Sequence, residues 1–320
     1  MTKRPIRRRK RWAAAGLAAF ACWGGPALAV DRALLVGVSD YPALPRRLWL
    51  NGPINDVALM HQTLVARGMS LANVRTLVSR ARPEDEPTRA HITQAMQQLV
   101  LASKAGDRIV FYLSGHGSQQ PQAREHGQRP TETDGLDEVF LPSDVRQWDG
   151  QGSRAEIPNA LLDDEIGEWI DALVDRGAIV WAVFDTCHAA GMARGDGGTW
   201  RGVNGAELGL PPVPSSRRTS ANTPAPANRG PGKNQRTDGR TLAFAARANE
   251  LTGEEWLPRG AGPQGSRIQG VFTFHLTSAW MQDSTPNNQS LESTLRRKYR
   301  QEQRVSPTPI FQGPPAQAWP

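Results

Sequence analysis

The chain has 320 residues, a formal charge of +7 and only two cysteines, Cys22 and Cys187. Seven basic residues fall within the first eleven, MTKRPIRRRKR, and the remainder is balanced between acids and bases. A broad nucleic-acid-binding surface is therefore excluded as the leading function, and the length allows one large domain or two small ones.

The basic start runs into the apolar stretch WAAAGLAAFACWG and then Ala27-Leu28-Ala29, a small-x-small cleavage signal. The apolar run is too short for a bilayer that needs roughly 20 residues. Residues 1–29 are expected to be a signal peptide, with either a Sec or a twin-arginine route. The mature protein is expected to be periplasmic or secreted, with no stable membrane span. Cleavage after Ala29 removes Cys22 and leaves Cys187 as a lone thiol, which no internal disulfide can protect.

Residues 32–39, RALLVGVS, predict a buried strand. A helix follows over 55–68, with Val57, Met60, Leu64 and Val65 at helical spacing and Gly68 as its stop. A strand over 74–79, a Thr88-capped helix over 88–103 and a strand over 107–117 come next. Then come a helix over 163–177 with acids at its start and a strand over 178–184. This alternation predicts an α/β fold with a mostly parallel sheet and helices on both faces. Residues 211–240 are rich in Pro, Ser, Asn and Arg and cannot bury enough surface to order themselves. They divide a 30–210 region from a 241–320 region, in which 241–246 predicts a strand and 271–281 and 291–301 predict helices.

Two of the strands end in reactive groups. One runs into Ser114-Gly115-His116-Gly117, the other into Asp185-Thr186-Cys187-His188. Ligands of open parallel sheets sit outside the carboxyl ends of the strands. If the two strands are neighbours, Cys187 is a nucleophile with His116 as its base. Gly115 and Gly117 can aim an amide at a developing oxyanion, and Gly115 is the expected donor. A zinc site would want three or four ligands. Cys187, His188 and His116 would supply three, but no CxxC or HxxxH spacing supports it. In the plainer alternative Cys187 is a small core hydrophobe and His116 a structural histidine.

"FYLSGHGSQ" followed by "FDTCHAAG" resembles the metacaspases, caspase-like cysteine peptidases. "LNGPIND" (50–56), "DGLDEVFLPSD" (134–144), "LLDDEI" (161–166), "GVFTFHL" (270–276) and "SPTPIFQG" (306–313) add to the likeness, which is to an exported bacterial member. The resemblance implies a caspase-like three-layer sandwich and a His116–Cys187 dyad that hydrolyses protein or peptide substrates after Arg or Lys. Its basic-residue pocket falls on Asp56 and Asp185, with Ser114 beside them. No cofactor is required for the chemistry. Some relatives bind calcium through acids at positions matching Asp144, Asp163 and Asp164, so calcium activation stays open and the metal unknown. Ala189 and Pro53 depart from the usual Ser and Cys. The competing functions are a caspase-like peptidase of other specificity and an inactive interaction protein of the same fold. Arg217, Arg218, Arg229, Lys233, Arg236 and Arg240 make 211–240 an expected site of self-cleavage.

Overall fold

A computed structural model describes residues 29–122, 135–151, 154–187, 199–212, 239–247 and 250–320. Residues 1–28 of the expected signal peptide, His188 and nearly all of the expected linker lie outside the described residues.

In chain order the elements are β1 (Asp31–Gly37), α1 (Gly52–Ala66), β2 (Val74–Val78), α2 (Arg89–Ala102), β3 (Arg108–Ser114), β4 (Gly117–Pro121), β5 (Leu136–Phe140) and β6 (Leu161–Leu162). They continue with α3 (Asp163–Asp175), β7 (Ile179–Asp185), β8 (Thr199–Trp200), β9 (Arg240–Phe244) and β10 (Gly253–Leu257). The last are the one-turn α4 (Gly262–Gly265), β11 (Arg267–Gly270), α5 (Val271–Gln282), α6 (Asn288–Gln301) and β12 (Ile310–Gln312).

The central sheet runs β12-β9-β7-β3-β1-β2. All of its pairings are parallel except β12 against β9. Strand side chains alternate between two cores. Leu34, Val36, Ile109, Phe111, Leu113, Val180 and Phe184 face one side, where Ile92 and Met96 of α2 and Ile166 and Ile170 of α3 pack. Leu35, Val110, Tyr112, Trp181 and Val183 face the other, against Met60 and Leu64 of α1, Phe272 and Leu276 of α5 and Leu291 of α6. Burial of both faces explains why the central strands read as continuous apolar runs. The result is a three-layer α/β sandwich of the caspase-like kind.

Local signals set several boundaries. The Thr88 side chain accepts the His91 amide at the start of α2, and Asn287 caps α6 by accepting from Ser290 N–H at 2.9 Å. The strand expected over 107–117, ending in a Gly-rich turn, is β3, which stops at Ser114; β4 then leaves from Gly117 in a separate sheet, β4-β5-β6. A third sheet is β11-β10-β8. No helix among the described residues is long and apolar enough to cross a membrane.

Candidate active site

β3 and β7 are hydrogen-bonded neighbours, with Ser114 opposite Asp185. His116 and Cys187 each lie two residues past that pair, so adjacent strands deliver them to one rim. Both are almost fully buried. The Tyr41 hydroxyl accepts from His116 N–H at 2.8 Å. Nε2 of the same ring lies 2.7 Å from the Leu48 carbonyl. A carbonyl can only accept, so Nε2 carries the proton and Nδ1 keeps its lone pair. Burial pushes the imidazole down to about 4, against the Leu48 and Arg201 carbonyls, which favour its charged form. Cys187 Sγ receives the Thr252 amide at 2.7 Å and lies 3.2 Å from the Thr252 carbonyl. Burial pushes this thiol up to about 12. Cys187 and His116 therefore rest as a neutral thiol and a neutral imidazole, and His116 Nδ1 is buried without a hydrogen-bond partner.

Beside them is a buried acidic pocket. Asp56 comes from α1, Ser114 from the end of β3, Asp185 from the end of β7 and Glu254 from β10. The pocket holds the side chain of Arg201, which has no exposed surface. Arg201 Nη2 is 2.5 Å from Asp56 Oδ2 and 3.7 Å from Glu254 Oε2. Nη1 is 3.1 Å from Asp185 Oδ2 and donates to Ser114 Oγ at 2.9 Å. Each acid also has an uncharged donor. Asp56 accepts the Gly270 amide, Asp185 accepts the Thr273 amide and hydroxyl, and Glu254 accepts the Asn51 and Gly52 amides that open α1. Burial, with the Asp185 charge and against the guanidinium, lifts the Asp56 carboxyl to about 6. Glycines make the walls: a Cβ at Gly270 would strike Asp185 and Arg201, and one at Gly52 would strike Arg201 and Glu254.

The backbone of Arg201 is held as closely as its side chain. Its carbonyl accepts Gly117 N–H at 3.0 Å and Cys187 N–H at 3.2 Å. Two amides converging on one carbonyl beside a thiol form an oxyanion cradle. Gly115, the donor expected from the sequence, turns its N–H to the Asp185 carbonyl at 3.4 Å instead. Gly115 continues the β3–β7 ladder, the His116 amide leaves it for the Tyr41 hydroxyl, and the Gly117 amide is the one that reaches the Arg201 carbonyl.

Residues 31–194 match the family described as metacaspase, peptidase C14 domain. The chain belongs to the metacaspase family. It is 33% identical over 163 residues to Metacaspase-1 of Candida albicans, covering 50% of this chain and 33% of that protein. It is 31% identical over 214 residues to Metacaspase-2 of Arabidopsis thaliana, covering 60% of this chain and 47% of that one. The chain thus spans a third to a half of the length of these curated relatives. Among solved structures, protein GSU0716 from Geobacter sulfurreducens matches with a TM-score of 0.53 at 19% identity, over 91% of this chain and 100% of that one, a likeness of fold.

The metacaspase match contains Asp56, Ser114, His116, Asp185 and Cys187 and stops short of Arg201, Thr252 and Glu254. Sequence reading missed those three. Arg201 sits in TWRGVNG, which reads as a polar turn, and an arginine there is expected in solvent. Gly52 in LNGPIND was the one available hint, since a glycine opening a helix marks a close approach. Asp144, Asp163 and Asp164 are the acids that the resemblance offers as calcium ligands. Asp144 Oδ1 caps α2 by accepting Arg89 N–H at 2.8 Å. Among the described residues no group of three or more His, Cys, Asp or Glu side chains could hold a metal.

Proposed function

We propose that this metacaspase-family chain is an endopeptidase that uses Cys187 and His116 to cleave protein or peptide substrates after Arg or Lys. The observation that carries the proposal is the seat of Arg201, a cation in the acidic pocket whose carbonyl lies in the two-amide cradle. Cys187 Sγ attacks the carbonyl carbon as its proton passes to His116 Nδ1. The Gly117 and Cys187 amides take the oxyanion, and His116 returns the proton to the leaving amine. Water then hydrolyses the thioester. Leu48 supports this by fixing the tautomer, and no step needs a metal or an organic cofactor. Asp56 and Asp185 favour a long cation and repel a carboxylate, so aspartyl substrates are rejected. Export through the N-terminal signal would place this activity in the periplasm or outside the cell, and N-terminal sequencing of the mature protein tests that.

A peptidyl-arginine electrophile tests the chemistry. It is expected to label Cys187 in the wild type or, where Arg201 blocks entry, in Arg201→Gln. Cys187→Ala and His116→Ala should remain folded and lose peptide hydrolysis by several orders of magnitude, as members of a unit do. Absence of labelling at Cys187 in both the wild type and Arg201→Gln would overturn the proposal, and so would a substrate profile peaking at Asp.

A further inference from the structure

Arg201 is gripped on both sides of its carbonyl, in a way that an ion pair alone does not require. On the amino side, Arg201 N–H donates to the Thr252 carbonyl at 3.0 Å, and Thr199 and Trp200 pair antiparallel with Glu254 and Gly253 of β10. On the carboxyl side, Gly202 bridges to Gly117, and Val203 N–H donates to the Gly117 carbonyl at 3.0 Å. Ser118 Oγ adds a bond to the Val203 carbonyl at 2.8 Å. Residues 199–203 therefore cross the cleft as an extended strand, paired along one edge before Arg201 and along the other edge after it. The one carbonyl between the two grips is the carbonyl in the oxyanion cradle. A structural arginine would need the three carboxylates but not the cradle. The next residue, Gly202, has no side chain to crowd a departing amine.

We propose that residues 199–203 are the chain's own substrate and that Cys187 cuts the Arg201–Gly202 bond of the molecule that carries it. This deepens the peptidase activity proposed above and rests on it. Sγ bonds to the Arg201 carbonyl carbon while the thiol proton moves to His116, and the C–N bond to Gly202 breaks, with that proton leaving on the Gly202 amine. Water adds to the thioester and gives one proton back through His116 to the sulfur. Arg201 is left as a carboxylate, and no oxidant or reductant takes part. The cut falls upstream of 211–240, where exposed basic residues were expected to be the targets. The strand is already seated in its own cleft, so the reaction is intramolecular.

Full-length wild type, Cys187→Ala, Arg201→Gln and Gly202→Pro, followed by intact mass and N-terminal sequencing, test this. The wild type should give a fragment beginning at Gly202, at a rate independent of protein concentration. Cys187→Ala should stay whole, even when mixed with wild type. Arg201→Gln should lose this cut. Gly202→Pro, which keeps the buried ion cluster, should lose it too and so covers the case in which Arg201→Gln fails to fold. A wild type that stays whole, or is cut only elsewhere, overturns the proposal. So does the same cut in Cys187→Ala, alone or in the mixture. Labelling of Cys187 by the peptidyl-arginine electrophile separates the two failures: a labelled chain without this cut removes only the self-cleavage, whereas absence of labelling removes the peptidase activity itself.

Discussion

Asp56→Asn is the sharpest perturbation of the pocket. Asp56 Oδ2 takes the guanidinium at 2.5 Å and the Ser114 hydroxyl at 2.9 Å, while Oδ1 takes the Gly270 amide at 2.7 Å. Asparagine keeps the shape and one acceptor. If that oxygen stays on Gly270, its NH₂ faces Arg Nη2, donor against donor. The Ser114 hydroxyl loses its acceptor too, but the loss that depends on the cation is the one charge-assisted bond to the guanidinium, worth about 1.5–3 kcal/mol. At about 1.4 kcal/mol per decade this is roughly a 10- to 150-fold fall in kcat/KM. Asp185 remains, so cleavage should weaken rather than vanish. The measurement compares a peptidyl-arginine substrate with its neutral citrulline counterpart, in a chain already carrying Arg201→Gln so that only the peptide fills the pocket. Asp56→Asn should cut the arginine rate and leave the citrulline rate nearly unchanged. An unchanged arginine-to-citrulline ratio in a folded variant would refute the role of the carboxylate.

Gly117→Ala would drive a Cβ into the Cys187 carbonyl, so the cradle must open. Its hydrolysis rate should fall by about 10²–10³, as for loss of one oxyanion donor, and a near-wild-type rate would count against the cradle. Chelation by EDTA should leave hydrolysis unchanged, and a loss restored by calcium would refute metal-free chemistry. Arg304 and Arg259 hold the Glu255 carboxyl down to about 2, below its ordinary 4.5. The stabilisation is therefore present above 4.5 and lost as pH falls toward 2. Glu255→Gln should flatten that acid-side loss in thermal melts, modestly because the pair is part-exposed. Leu35→Ala, at a fully buried β1 position, should cost about 2–5 kcal/mol in denaturant unfolding.

The parts of this fold that could be read from sequence are those whose information is local or periodic. Strands β1, β3 and β7 are buried on both faces and announce themselves as apolar runs, and Thr88 announces the start of α2. Gly117–Pro121, with sequence GSQQP, has no strand character of its own and pairs because Leu136–Phe140 lies opposite it. Thr199–Trp200 is too short to carry a pattern, and α6 begins at Asn288, earlier than its apolar spacing suggested, because Asn287 supplies the cap. His116 and Cys187 were legible because a thiol and an imidazole at two strand ends form a chemical pair whichever loops follow. Arg201 was not, because nothing local distinguishes a buried arginine from a solvated one. Only the meeting of α1, β7 and β10, distant in sequence, gives it three carboxylates.

Glu254 has a consequence beyond its contact with Arg201. Its two oxygens rest on the Asn51 and Gly52 amides at the start of α1. A helix start carries roughly half a positive charge. With the uncharged donors on Asp56 and Asp185, this means that departure of a guanidinium does not leave three bare anions in an apolar hollow. The scaffold supplies a standing counter-charge that balances part of the pocket when it is empty, and Asp56, lifted by burial even beside the guanidinium, is the carboxyl that would take a proton when the cation leaves. A site built this way can be vacated and refilled many times, as turnover demands of a cleft that must release every cation it binds.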